Sequence, residues 1–529
     1  MTIQTAAPDA DAATLARFAP LRPAERLLLH ALRFGDIAKV SMRRPTSAFA
    51  DVTVRAALLA QLLRGPAVLP TRRLELMGAW IEGRLDLGDA EIGGSLWFYR
   101  CTFDAPVLLE QSHVAGSLTF AGCRLVALHG DGCTTDRDFA LSAGCRVERD
   151  LRLARARIGG HLDCSRLRIG ADGERGARCC LAADAAWVGG ELRLAEGFAA
   201  QGEVRFVGAR IEGDAHVGGH FTGHLLEGGG RGPALTMDRA NIGGSLHLDG
   251  GYGAAGCTSL RRTRIGGDLD ASGASFDRLG DTSWDAEPAL VLDRATVDGT
   301  LALRRLQAPL VGASFVGARV STLADDEGTW GERLALDGFD YSRFGDGAPL
   351  DTRFRTGWLE RQEPAHLRSQ FRVQPWRRLI RVLRRMGHEH RAASVAMQRE
   401  RWLRRIGVVG EWAPPALRWL PQLGHRLLGV FAGYGYRPGR LLVWVTAIWL
   451  ACGLAFWLTS SANDPVQALG FSLARLLPVV DLELAAPGTA GPLAADLARW
   501  IGQAEAGFGW AAALLLLASL AGWADRDRR

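Results

Sequence analysis

The sequence predicts a mainly β fold, a parallel β-helix (solenoid) with an N-terminal helical cap, a C-terminal basic helical hairpin and two transmembrane helices. Three observations predict it. From Leu74 to Phe344 the chain repeats the pattern small-x-Ile-x-Gly-x-Leu-x-Leu, as in Ala156, Ile158, Gly160, Leu162, Cys164 and again in Ala240, Ile242, Gly244, Leu246, Leu248. A dense run of arginines with helical periodicity follows, and two long uncharged apolar stretches close the chain. Residues two apart share one face of a strand, so each repeat gathers its apolar side chains on the inside. A pattern sustained for about 270 residues stacks into coils that bury one continuous core.

Residues 1–70 form the N-terminal cap in this reading. Residues 1–12 are small and polar and carry no structure, while Leu15, Phe18, Leu27, Leu28, Leu29 and Leu32 begin a helical pattern. Val54, Leu58, Leu59, Leu62 and Leu63 make a second apolar stripe. A solenoid needs its first coil covered, because an open strand edge is an aggregation hazard. Pro66 and Pro70 end the cap. The first 30 residues lack an apolar run behind a basic start, so no secretory signal is expected. The net charge is +6, and Lys39 is the only lysine, so almost every cation is an arginine.

The solenoid, residues 71–345, opens in strict phase. Ile81, Ile92, Phe103, Val114 and Leu125 recur every 11 residues, and two such units make one coil of 22. Cys101, Cys123 and Cys145, also 22 apart, should stack in successive coils. They occupy the small-residue position held elsewhere by Ala79, Ala90, Ala156, Ala240 and Ala295, which predicts packing and not redox or metal chemistry. Nine cysteines without a CxxC pair argue against a zinc module or a disulfide framework.

Beyond residue 145 the main aliphatics Ile158, Val188, Ile211, Ile242, Ile265, Val297 and Val320 alternate between steps of about 30 and 23, which implies two coils plus an insertion. The insertions align as Gly130–Asp138, Ala171–Arg178, Gly228–Pro233, Gly280–Pro288 and Ala324–Glu332. Insertions at one phase of a solenoid project from one edge, where binding surfaces concentrate. Asp136, Arg175, Arg231, Trp284 and Trp330 are the expected partner-binding residues of that edge, and the partner is an unidentified protein.

This layout resembles a family of actinobacterial membrane-associated β-solenoid proteins commonly labelled oxidoreductases. The resemblance is carried by Gly202-Glu203-Val204-Arg205-Phe206 leading into Gly208-Ala209-Arg210-Ile211, by Leu336-Asp337-Gly338-Phe339-Asp340-Tyr341, by Gln374-Pro375-Trp376, by Gly433-Tyr434-Gly435-Tyr436-Arg437-Pro438, and by Phe471-Ser472-Leu473 with Leu476-Leu477-Pro478-Val479-Val480-Asp481-Leu482. It covers nearly the whole chain and implies architecture, with no catalytic residue to carry over. Shorter coil-forming parts also look like bactofilins; a strict pentapeptide helix fits worse, since 11 and 22 are not multiples of five.

Gly251, Gly253 and Gly256 match the dinucleotide fingerprint GxGxxG, which needs a following helix to hold a pyrophosphate. The next residues, Leu260 to Leu269, read as another solenoid strand, so the match reads as a corner and no cofactor is assigned. His216, His220 and His224, with His247 one coil later, are the candidate metal ligands. Gly218 and Gly219 break the strand between them, which favours solvated histidines. Asp86, Asp163 and Asp270 share an outward slot that also suits a soluble wall. No nucleophile–base pair, P-loop or HExxH is present, and no catalytic residue is assigned.

Residues 346–432 form a basic helical juxtamembrane region. Leu379, Val382, Leu383 and Met386 share one helix face, Ala392, Val395, Ala396, Arg399 and Trp402 a second, and eleven arginines lie between Arg372 and Arg405 against only Glu389 and Glu400. No groove-reading motif accompanies them, so anionic membrane lipid is the expected partner and nucleic acid is not. In the membrane domain, residues 433–529, Leu441–Ser461 and Gly507–Ala524 are the two expected spans, with Trp444, Trp457, Trp510 and Trp523 as interfacial anchors. Arginines outside the pair of spans (Arg426, Arg437, Arg440, Arg526, Arg528, Arg529) place both termini and the solenoid in the cytoplasm of an inner-membrane protein. Between the spans, apolar Ala468–Leu482 with Pro478 and Asp481 admits a pore reading, which would require a homo-oligomer. The expectation is a membrane-anchored scaffold; a two-helix pore and an oxidoreductase are its rivals.

Overall fold

The computed structural model describes residues 16–64, 73–170, 178–227, 230–249, 251–277, 287–367, 370–437, 439–459, 461, 464–477, 488 and 491–526, the side chains of 365 and 518–526 excepted. The expectations for residues 1–12 and for Arg175, Trp284, Pro478 and Asp481 lie outside these residues, as does the side chain of Trp523. The chain divides into two compact units, residues 1–378 and 379–529.

The first unit is a parallel β-solenoid. Its coils lay down three sheets of 21, 10 and 11 strands, called here the first, second and third walls, and every strand pairing between coils is parallel. Each coil contributes two short strands to the first wall and one to each of the others, for example Glu91–Ile92, Ser95–Tyr99, Thr102–Phe103 and Val107–Leu108. With about eleven coils at ~4.8 Å each the rod is about 50 Å long. Burial alternates along the strands, so Leu96 and Phe98 point inward while Trp97 and Tyr99 are part-exposed. The interior is filled by side chains in vertical stacks. Phe198, Phe221, Tyr252 and Phe276 stack through four coils at 5.1, 5.1 and 5.6 Å between ring centroids. Close packing of this kind leaves no channel for a substrate along the axis of these coils.

Corners carry the backbone strain. Between the third and first walls one residue per coil has positive φ, from Asp89 and Gln111 through Gly132, Arg155, Ala185, Gly208, Arg239, Arg262 and Arg294 to Gly317 and Gly338. Glycine is not required at most of these corners. At Gly78 it is, because an added Cβ would lie 1.9 Å from the Ser41 carbonyl oxygen and φ is +69°.

The cysteine stack forms as the 22-residue spacing predicts. Cys101 N–H donates to Cys123 Sγ at 3.4 Å, and Cys123 N–H to Cys145 Sγ at 3.3 Å. Each thiol in turn faces a carbonyl of the preceding coil, Leu76, Phe98 and Phe120 respectively. All three are fully buried. Burial pushes the Cys133 thiol up to about 12, which keeps it protonated and unreactive.

Both ends of the rod are covered. Helix α1 (Pro23–Phe34) and helix α2 (Ala56–Arg64) sit over the first coil, whose edge is also paired by Ala38–Lys39 and Thr53–Arg55. Buried Glu25 ties the two segments by accepting from Arg55 at 2.6 and 2.7 Å. At the far end helix α3 (Thr352–Glu360), capped by Asp351, inserts Arg355, Trp358 and Leu359 under the last coil. Helices α4 (Pro364–Leu367) and α5 (Val373–Arg385) follow. Arg355 and Asp325, both fully buried, form a bidentate pair at 2.7 and 2.8 Å.

The second unit is helical. Helices α6 (Glu389–Arg405) and α7 (Trp419–Ala432) precede α8 (Gly439–Thr459), α9 (Pro465–Leu476) and α10 (Pro492–Arg526). The last three pack together. Trp449 Nε1 donates to Leu469 O at 3.0 Å, and the glycines at 453 and 509 have no room for a Cβ against Leu469 and Leu476. Among the described residues one helix, α8, is long and apolar enough to cross a membrane. The expected second span, Gly507–Ala524, is therefore corrected, and with it the two-span inner-membrane topology that placed both termini and the solenoid in the cytoplasm. The apolar segment belongs to a single 35-residue helix, α10, whose described part also carries Asp496, Arg499, Gln503 and Glu505. Glu505 is buried and hydrogen-bonded to Ser472 of α9.

Candidate functional site

Four of the five aligned insertions come at one phase of the coil, just before a third-wall strand. Residues 171–177 and 278–288 connect second-wall strands to third-wall strands, as does the excursion Gly223–Pro233. Residues 326–333 take the place of a second-wall strand. Gly130–Asp138 is different: it is an ordinary corner followed by the strand Thr134–Thr135. Asp136 consequently sits on the first wall, where its carboxylate meets His113 Nε2 at 2.9 Å while Glu91 meets Nδ1 at 2.8 Å. Arg231 does lie on the insertion side and donates to Gly223 O at 3.0 Å. Leu225 and Leu226 are exposed on the same excursion. Trp330 is buried in the C-terminal cap, against Phe315 and Trp358, with Nε1 donating to Asp325 at 2.7 Å. The insertion that carries it folds back over the rod end and becomes core.

The glycine motif spans two corners. Gly251 and Gly256 have φ of +97° and +137°, and Gly253 lies in the strand Gly253–Ala255 between them. The strand Thr258–Ser259 follows, where a dinucleotide site needs a helix N-terminus. Asp86, Asp163 and Asp270 share one local task, since each accepts the backbone N–H two residues on, at 2.9–3.1 Å, and so shapes the next corner.

The histidines separate. His216 lies on the first wall, His220 on the second and His224 in the excursion beyond it. Gly219, at φ +102°, makes the corner that parts His216 from His220. Strand register instead brings His216 beside His247, their rings 4.7 Å apart and 7° from parallel. Asp214 joins them, the donor atoms of all three lying within 4.8 Å of one another. Among the described residues this is the one set of three His, Cys, Asp or Glu side chains whose donor atoms all come that close to one another.

Sequence reading missed a row of arginines along the corner between the third and first walls. Arg155, Arg239, Arg262 and Arg294 occupy its left-handed positions. Two residues on, Arg157, Arg210, Arg264 and Arg319 lie in register with Trp187, Asn241 and Thr296 in the intervening coils. All eight are exposed. Arg157 lies over the Trp187 ring at 5.2 Å, and Arg210 pairs with Glu212 at 2.7 Å. Among the described residues the other seven have no ion-pair partner. Acids lie beside the row: Asp238 and Asp293, which directly precede Arg239 and Arg294, each accept a backbone N–H and a serine hydroxyl of the next coil, and Asp298 is exposed on the strand of Thr296. Seven coils thus present a row of arginines about 29 Å long, seven of whose eight members stand outside any direct ion pair among the described residues.

In the second unit, Trp412, Leu417, Trp419, Leu420, Leu423, Leu427 and Val430 are all exposed, most of them on α7. Trp444 and Trp510 are exposed too, whereas Trp457 is half-buried. No family model, curated protein or solved structure matches the chain, so the resemblance to oxidoreductase-labelled solenoids rests on its motifs alone.

Proposed function

We propose that the protein is a membrane-anchored interaction scaffold, a rigid solenoid that holds an acidic polypeptide along its arginine edge. The observation that carries this reading is the in-register row from Arg155 to Arg319, exposed and, Arg210 apart, outside direct ion pairs among the described residues. A positively charged strip on a rigid support raises the encounter rate of an acidic partner and fixes its register. Arginine suits the task, because its planar fork binds carboxylates two bonds at a time. The insertion side, with Arg231 and the exposed Leu225 and Leu226, supplies a second surface for the same partner or another protein.

Anchoring falls to α8 and is aided by α7. The exposed apolar residues of α7 recur at helical spacing next to the apolar α8, with Arg418 and Arg426 beside them, a composition suited to the lipid interface. Anionic lipid is the favoured membrane partner for this basic segment.

The test is binding of a fluorescent oligoglutamate to the full chain in detergent. Four exposed charge pairs at a few tenths to 1 kcal/mol each make about 1–4 kcal/mol. Replacing Arg155, Arg239, Arg262 and Arg294 by Asn, which tolerates the left-handed corner, should weaken binding about fivefold or more. Arg146→Gln/Arg168→Gln on the second wall should leave it unchanged. Equal loss in both variants would mean non-specific attraction and would refute the edge.

A further inference from the structure

We propose that Asp214, His216 and His247 form a binding site for a divalent transition metal on the first wall of the solenoid. The argument starts from register. His216 and His247 are directly opposite each other in adjacent coils, so the parallel ladder fixes both imidazoles on one face at one height. Their rings stack with nearly parallel planes, and neither ring makes a hydrogen bond to the protein among the described residues. Both rings therefore keep an uncommitted nitrogen. Asp214, two residues before His216, points to the same side of the strand.

The carboxylate is held in place. Asp214 Oδ1 accepts the Ser245 N–H at 2.7 Å, which leaves Oδ2 as the free donor. Gly244 makes the room for it: a Cβ there would sit 2.0 Å from Oδ1. Such outer hydrogen bonds orient a ligand before the ion arrives. The neighbouring acid Glu191 is already committed to Arg193, at 2.6 and 2.9 Å, and does not compete.

Two imidazoles and one carboxylate are the donor set for zinc, copper or nickel, and not for magnesium or calcium. Bonds of about 2.0–2.1 Å in a tetrahedral shell hold donors roughly 3.4 Å apart. Donors at the present 4.8 Å limit thus close by up to about 1.4 Å on binding, a movement within reach of half-buried side chains. Three protein ligands leave one coordination position for water or for a donor from a partner.

The experiment is isothermal titration of the untagged full chain with Zn2+, supported by the visible spectrum of the Co2+ form. One equivalent should bind. His216→Ala and His247→Ala should each lower the affinity at least about tenfold and erase the cobalt bands. Asp214→Asn keeps an acceptor for Ser245 N–H while removing the anionic donor, so it should weaken binding with the circular dichroism unchanged. His220→Ala/His224→Ala should bind as the parent does. Absence of zinc binding, retention of the equivalent in the His216/His247 double variant, or its loss in the His220/His224 variant would overturn the assignment.

Discussion

Replacing Asp325 by Leu should open the C-terminal end of the solenoid. Asp325 accepts both Nη groups of Arg355 at 2.7 and 2.8 Å and the indole N–H of Trp330 at 2.7 Å, all out of contact with water. Without it the guanidinium keeps the Pro349 carbonyl at 2.7 Å and the Phe344 ring face at 3.9 Å, but no counter-charge. Leaving one partner of a buried pair costs about 3–5 kcal/mol. The orphaned indole adds to the same network, so the two losses do not simply sum. A solenoid loses cooperativity from its ends, and the cost should appear first in the last coil. Hydrogen exchange at the amides of Leu334–Phe344 should accelerate by about two orders of magnitude, while those of Leu96–Phe120 stay protected. Adding Arg355→Met to Asp325→Leu should recover about half of the loss, since the buried charge is gone and only the indole lacks a partner. An acceleration below about fivefold in the single variant would refute the reasoning.

Two further predictions concern the walls. Gly78→Ala should destabilise the first coil by more than about 1 kcal/mol, read as a lower urea midpoint, because the methyl meets the Ser41 carbonyl and φ is positive. The Asp136 and Glu91 carboxylates raise the pKa of His113. A raised folded pKa stabilises below the unfolded value of about 6.5, and the benefit is lost as pH rises through the folded value. Wild type should therefore exceed His113→Gln in stability near pH 6, by no more than about 1 kcal/mol for so exposed a group, and match it by pH 9. A gap that widened with pH would contradict this.

The coil architecture was legible because small, aliphatic and glycine positions recur at fixed phase, and the Cys101–Cys123–Cys145 stack follows from spacing alone. The site residues were harder. His216 meets His247 only because a coil with an excursion lies between them, so their separation matches no local motif. His220 and His224 looked like partners until Gly219 turned the chain onto another wall. The arginine edge was hidden for the same reason, since excursions on the opposite side vary the distance between equivalent corners. Trp330 misled because an insertion rich in polar residues folded inward and covered the rod end. The second span failed because an apolar window takes no account of where a helix begins, and α10 begins well before it, at Pro492.

The most direct test of the account is retention in phosphatidylcholine vesicles after an alkaline carbonate wash, comparing the full chain with one lacking residues 439–459. An anchored scaffold predicts that the full chain floats with the vesicles and the shortened chain stays behind, with its solenoid circular dichroism intact. Equal release of both by carbonate would contradict the account.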